Sequence, residues 1–387
     1  MILSIGFLLS EKRERINWKL VGWGLFLQVL FGFLILKTCP EQIFAGARAL
    51  FGFIQEFSGK GARFLFGSLV ERSDLVILSM GAVIIFVSSI MAILNYLRII
   101  PLVIYAFARL MQKTLQTSGA ETLSATMQIL MGIEAMTALK AVINRMTRSE
   151  VFTVMTCFMA TMAGSVMAVY VGVFGANAGY ILAASVMSAP GAIVLSKLLI
   201  PESDTPETRG QMNWRMIVPG DKGVVEAAAT GALDGLRLSA AIAAILLAFV
   251  SIIHLLNAIL GLVGFSFQEI GGLLFGPIAF LLGIPWDDCF KAGYLLTLKT
   301  VFNEWLAYAE LQQMVKENQL MPRTVMILTY AMCNFANFGS LAILIGGLSA
   351  LAPERRQEVS SLGLKALLAG LLGGFMTAAI AGIMSEF

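Results

Sequence analysis

Seven apolar runs, at about Leu20 to Leu36, Leu75 to Leu97, Val151 to Val173, Tyr180 to Ile200, Ala240 to Val263, Thr324 to Leu348 and Leu362 to Ile383, each approach the roughly 20 residues with which a helix crosses a bilayer. A chain built this way has to fold in lipid. The composition agrees: 58% of the 387 residues are hydrophobic and 13% charged, about half the charged share of a soluble domain. The opening "MILSIGFLLS" ends in the charges of "EKRER"; either it is half a span or the start of the chain lies further upstream. With it, the pattern predicts an all-α polytopic membrane protein of about eight transmembrane helices.

Two further segments, "AGARALFGFIQEF" (Ala45 to Phe57) and "PLVIYAFARLMQKTL" (Pro101 to Leu115), carry apolar residues at helical spacing with charges to one side. They read as helices lying at an interface. If spans alternate, the loops with Lys12, Arg13, Arg15 and Lys19, with Arg98, Arg109 and Lys113, with Arg145 and Arg148, with Lys197 through Lys222, and with Arg355 and Arg356 fall on one side. That side is the cytoplasm, and both termini face outward. The Pro-, Gly- and charge-rich stretch Pro201 to Gly223 is a cytoplasmic linker between two comparable halves.

Several classes are excluded. A net charge of +3 without basic runs interleaved with aromatics argues against nucleic acid. Cys39, Cys157, Cys289 and Cys333 show no CxxC spacing and read as small buried residues, with no disulfide framework. His254 is the single histidine, which argues against zinc and suggests a core or pore-lining residue. No Walker motif in the right context supports ATP-driven transport, and no HExxH or paired nucleophile and base supports an enzyme.

Two segments fit no clean span, Glu121 to Asn144 and Pro285 to Tyr308. Each is interrupted by polar groups and each precedes a full-length run, and these two runs share a faint pattern, "CFMATMAGSVMAVY" and "CNFANFGSLAIL". This arrangement predicts two re-entrant hairpins in an inverted repeat, with broken helices meeting at the midplane. A carboxylate at bilayer depth costs at least about 2.5 kcal/mol and marks a cavity or a partner, so Glu134 and Glu304, at matching places in the halves, are candidates for function. Lys299 lies one turn before Asn303 and could pair with Glu304. Asn334, Asn337 and Ser340 lie three residues apart in an otherwise apolar span, a spacing that puts all three on one helix face.

Beyond this physical reading, "KTVFNEWLAY" (Lys299 to Tyr308) and "CNFANFGSLAILIGGLSALAP" (Cys333 to Pro353), with "FLFGSLV", "AASVMSAPGAIVLSKLLIPES" and "FGPIAFLLGIPW", resemble the concentrative nucleoside transporters over nearly the whole chain. The resemblance implies a homotrimer in the inner membrane and elevator-like symport of a nucleoside with sodium or protons, with no cofactor. It implies a division into residues 1–100 (scaffold helices with a periplasmic interfacial helix), 101–200 (first transport repeat), 201–265 (linker and scaffold span) and 266–387 (second transport repeat). Carried over by motif, Glu304, Asn337 and Ser340 would hydrogen-bond the ribose, Phe335 would line the site, Val166 would pack near the base, and Glu134 would complete the pocket from the first hairpin. Gln128 and Thr161 by their side chains, with Met131 and Met162 by their carbonyls, would hold sodium.

The chain departs from the family at Trp305, Leu306 and Thr297, where Phe, Val and Gly are usual. It departs more at the first hairpin, where Gly132, Ile133, Glu134 leave one isoleucine for the family's glutamine and hydroxyl. Gln128 replaces the family's asparagine with a stem one methylene longer, and Glu134 is the titratable group that proton coupling would need. The alternatives are the same carrier with an altered base pocket for another ribosyl or polyol solute, and a non-transporting membrane receptor.

Overall fold

The chain, described by a computed structural model over residues 1–38, 40–71, 76–140, 142–209 and 223–385, keeps the side chains of residues 40, 41, 71, 76, 130, 133, 134, 137 and 138 outside the described set. Cys39 and the side chains of Ile133 and Glu134 thus lie outside the described residues. The helices run α1 (Ile2–Leu8), α2 (Trp18–Phe33), α3 (Pro40–Phe66), α4 (Val76–Tyr96), α5 (Ile99–Leu115), α6 (Gly119–Met131), α7 (Arg148–Ala160), α8 (Gly164–Gly172), α9 (Ala178–Leu199), α10 (Val224–Gly261), α11 (Phe267–Leu281), α12 (Trp286–Val301), α13 (Glu304–Lys316), α14 (Pro322–Met332), α15 (Phe338–Leu351) and α16 (Arg356–Met384).

From α4 onward the order repeats. A long apolar helix (α4, α10) is followed by a shorter one (α5, α11), then a hairpin, a helix broken in two (α7 with α8, α14 with α15) and a long closing helix (α9, α16). The hairpins are α6 with a 3-10 stretch at Gly132–Leu139, and α12 with α13. Local chemistry sets the starts: Ser118 with Glu121 at α6, Thr147 with Glu150 at α7 and Ser266 with Glu269 at α11 are capping boxes, each hydroxyl accepting from the backbone of an acid that reaches back. Helix α6 stops at Gly132, whose φ of 63° and ψ of −129° suit a residue without Cβ.

Six helices are long and apolar enough to cross a bilayer among the described residues. Two expected spans are not among them. Helix α1 has 7 residues, and the run Thr324 to Leu348 is not continuous but splits into α14 and α15. The run Val151 to Val173 also splits, into α7 and α8, although together they reach the length of a span. Apolar periodicity could not reveal these breaks, because the residues at them are themselves mostly apolar. The amphipathic segment of the second connection extends to the 27 residues of α3, and α10 begins well before Ala240, giving 38 residues.

Helices α7, α8 and α9 form the centre, with 83% of their apolar windows buried, whereas α10 has 11% buried and is peripheral. Consequently His254 lies exposed on α10 rather than in a core. Cys157, Cys289 and Cys333 are free and buried, as expected for small apolar residues. Helices α4 and α10 approach closely at Gly231 and Gly235, where a Cβ would meet Ser88 O at 2.5 Å and Ile85 Cα at 2.7 Å. Helices α1 and α2 pack instead on α9 and α16: Gly6 sits against Leu198, and Gln28 Nε2 donates to Thr377 Oγ1 at 2.9 Å.

Candidate functional site

Both broken helices open at the same place. Thr161 follows α7 in an extended conformation (φ −115°, ψ 177°) and α8 resumes at Gly164, while α14 and α15 are separated by Cys333 to Asn337. Phe335 N donates to Thr161 O at 3.2 Å across the two breaks. The rings of Phe158 and Phe335 lie 5.5 Å apart, and Cys333 Sγ is 3.9 Å from Met162 Sδ. Backbone freed from helical bonding is tolerated at such depth only inside protein or beside a cavity, and here each break supplies the other with a partner.

The second hairpin delivers its carboxylate to this junction. Asn303 caps α13, its Oδ1 accepting from Leu306 N at 3.0 Å, which puts Glu304 in the first turn of the helix. Glu304 is 2% exposed, and its Oε2 accepts from Asn337 Nδ2 at 2.6 Å, a short charge-assisted bond. Asn337 in turn caps α15, its Oδ1 accepting from Ser340 N at 2.8 Å. Two helix N-termini, whose dipoles favour negative charge, therefore converge on Glu304.

Of the residues expected here, Glu304, Asn337, Ser340 and Phe335 come together through these bonds and contacts, and Val166 is buried in the first turns of α8. Glu134 belongs to the 3-10 stretch of the first hairpin, but its side chain lies outside the described residues. Two expectations fail. Asn334, Asn337 and Ser340 do not share a helix face, because Asn334 sits in the break and Asn337 at the cap; asparagine favours such positions because its side chain competes for backbone bonds. Lys299 makes no ion pair with Glu304 within 4.0 Å; its Nζ donates to Asn334 Oδ1 and, at 3.0 Å, to Ala336 O.

Of the residues expected to hold sodium, Gln128, Thr161 and Met162 are buried and Met131 is partly exposed. Gln128 Nε2 donates to Ser124 Oγ at 2.9 Å and Val154 O at 3.2 Å, and its Oε1 has no partner. Thr161 Oγ1 donates to Cys157 O at 2.8 Å, keeping its lone pairs available, while Thr161 O is taken by Phe335 N. Met162 is fully buried and Met131 half-buried. Oxygen donors of this kind suit a hard cation, which soft ligands do not.

Sequence reasoning missed two features. Tyr170 of α8 stacks on Tyr308 at 4.3 Å and meets Trp305 edge-on at 4.9 Å, and its buried hydroxyl lies beside the Glu304 carboxylate. Within an apolar run its position looked like ordinary packing. At the base of the first hairpin, Lys197 pairs with Glu121 and, at 3.3 Å, with Glu202, and also donates to Ser149 Oγ at 2.9 Å. Three segments distant in sequence meet there, so no local signal pointed to it. Asp288 does the same for the second hairpin, its Oδ2 accepting from Thr324 Oγ1 at 2.5 Å and Met321 N at 2.9 Å.

With this geometry in view, comparison with known proteins is specific. Residues 180–382 match the family model "Na+ dependent nucleoside transporter C-terminus", residues 1–69 its "N-terminus" counterpart, and residues 77–177 the model "Nucleoside recognition". The chain is 39% identical to the "Uncharacterized transporter YutK" of Bacillus subtilis, over 99% of this chain and 96% of that one. It is 36% identical to the "Sodium/nucleoside cotransporter 1" of Rattus norvegicus over 99% of this chain, and it spans 62% of that protein's length. It likewise spans 58% of the length of the "Solute carrier family 28 member 3" of Mus musculus, at 35% identity. The solved structure of CNTnw in an inward-facing substrate-bound state superimposes with a TM-score of 0.93 at 38% identity, covering 99% of this chain and 97% of that one. The broken helices, the capped carboxylate and these matches together make the chain a multi-pass membrane protein that belongs to the Na+ dependent nucleoside transporter family, the concentrative nucleoside transporters.

Proposed function

We propose that the protein carries nucleosides into the cell across the inner membrane, coupled to sodium and working as a homotrimer by an elevator motion. The observation that carries this reading is the bond between the buried Glu304 carboxylate and Asn337 at the meeting of the two breaks. A carboxylate that accepts from an amide at a converging pair of helix N-termini is prepared to accept from ribose hydroxyls, while Asn337 and Ser340 can donate and accept. Phe335 and Val166 provide apolar walls, and Glu134, whose side chain lies outside the described residues, is assigned to the pocket by its place in the first hairpin. Sodium is taken at Gln128, Met131, Thr161 and Met162, supported by the unpartnered buried Oε1 of Gln128.

A division into a fixed and a moving part is supported by a cavity of about 690 Å³, which separates Gln55, Val83 and Leu246 on α3, α4 and α10 from Phe174, Trp305 and Gln312. Across it Gln55 Nε2 donates to Gly172 O at 2.9 Å. In place of the division that counts all of residues 1–100 as scaffold, we assign α1 and α2, which pack on α9 and α16, to the moving part, with α3, α4 and α10 as scaffold. The test is uptake by proteoliposomes under an imposed sodium or proton gradient, with nucleosides and free ribose-like compounds as solutes. Accumulation of nucleosides driven by sodium supports the proposal; accumulation indifferent to the base moves the solute to another ribosyl compound, and absence of any gradient-driven uptake overturns it.

A further inference from the structure

The two hairpins carry polar residues in the same register. Gln128 lies four residues before Gly132, where α6 ends, and Lys299 four before Asn303, where α12 gives way to α13. Both are fully buried, and both reach the broken helix of their own repeat. Gln128 Nε2 donates to Val154 O of α7. Lys299 Nζ donates to Asn334 Oδ1 and Ala336 O inside the second break.

The environment of Lys299 is built around its amine. Asn334 Oδ1 also accepts from Ala336 N at 3.2 Å, Asn334 Nδ2 donates to Ala331 O at 2.9 Å, and Gly374 of α16 leaves room for that amide by having no side chain. The turn is thus drawn around one point at which two oxygens converge. Without a cation or donor there, Ala336 O would be buried unsatisfied and Asn334 Oδ1 would keep only the bond from Ala336 N. The next residue after Ala336 is Asn337, so the shape of this turn decides where Glu304 finds its partner.

From this we infer that Lys299 is a tethered cation of the second repeat: a positioning residue whose ammonium gathers Asn334 Oδ1 and Ala336 O, fixes the turn that presents Asn337, and fills the place that an exchangeable cation takes in the first repeat. The consequence is that only one of the two pseudo-equivalent places exchanges ions. In its last clause the inference rests on the function proposed above; the positioning of the turn does not.

The variants Lys299→Met, which keeps the volume of the stem and removes the donors, and Lys299→Ala, which opens space for a small amine, test it. In the purified full chain, hydrogen–deuterium exchange over residues 333–341 should rise by about tenfold in Lys299→Met, with the first hairpin unchanged. Methylammonium should return exchange in Lys299→Ala towards the unmodified protein and restore part of its uptake, and potassium at equal ionic strength should not. Unchanged exchange over 333–341 in Lys299→Met, or equal responses to methylammonium and potassium, would overturn the inference. If Lys299→Ala does not fold, Lys299→Met decides the matter alone. Exchange is read without solute, so an unmodified protein that takes up no nucleoside would sink the proposed function and leave this result standing.

Discussion

The two hairpins do the same architectural job with different chemistry. The second turns between capped α-helices: Asn303 closes α13, and Glu304 is held by Asn337. The first turns through Gly132 into a 3-10 stretch whose hydrogen-bonding is tighter and less regular. Their bases differ as well, since Lys197 and Glu121 form a buried ion pair under the first, whereas Asp288 is satisfied by a hydroxyl and a backbone N–H under the second. Under the proposed function, the second hairpin receives the polar solute and the first, built on a buried charge pair, takes the cation. A pseudo-symmetric frame can in this way divide recognition from coupling.

The largest test of that contrast is at the bases. Lys197→Met leaves Glu121 buried without its partner and should destabilise the protein by about 3–5 kcal/mol, whereas Asp288→Asn, which keeps an acceptor, should cost about 1–2 kcal/mol; thermal unfolding in detergent compares them, and equal losses would erase the difference. Next, Glu304→Gln removes the charge that Asn337 bonds and should lower kcat/KM for nucleoside uptake roughly a hundredfold, about 3 kcal/mol, with sodium activation unchanged. Normal uptake by that variant would refute the assignment of the second hairpin to the solute. Smaller effects are expected on the other side: Gln128→Ala or Thr161→Ala should weaken sodium activation about tenfold, or 1.4 kcal/mol, with less change in nucleoside affinity at saturating sodium. The smallest is Gly132→Ala, which forces a Cβ into a conformation that glycine alone adopts readily and should destabilise the first hairpin by about 1 kcal/mol or more, read as faster exchange of residues 128–139.

How much of this was legible differs residue by residue. Glu304, Asn337 and Ser340 stood out because polar groups in apolar surroundings are conspicuous, and their grouping in a site followed from the motif. Lys299 was also conspicuous, and its place one turn before Asn303 left open a pair with Glu304, whereas the break between α14 and α15 brings Asn334 and Ala336 to the amine instead. His254 looked internal because its neighbours are apolar, yet a helix facing outwards in a membrane protein is apolar on that side too. Lys197 was counted among loop charges and proved to be buried.

By itself the sequence determined that this chain folds in lipid, that it is organised in two halves with a hairpin in each, and that Glu304 belongs to a polar site, since all three rest on local composition and spacing. Only the tertiary structure decided where the spans break, which buried charge meets which acceptor, and that Thr161 and Phe335 join the repeats. The physical reason is that an apolar run satisfies lipid equally well as a continuous helix or a broken one. What selects the break is whether another segment, distant in the chain, arrives to bond the backbone groups it frees.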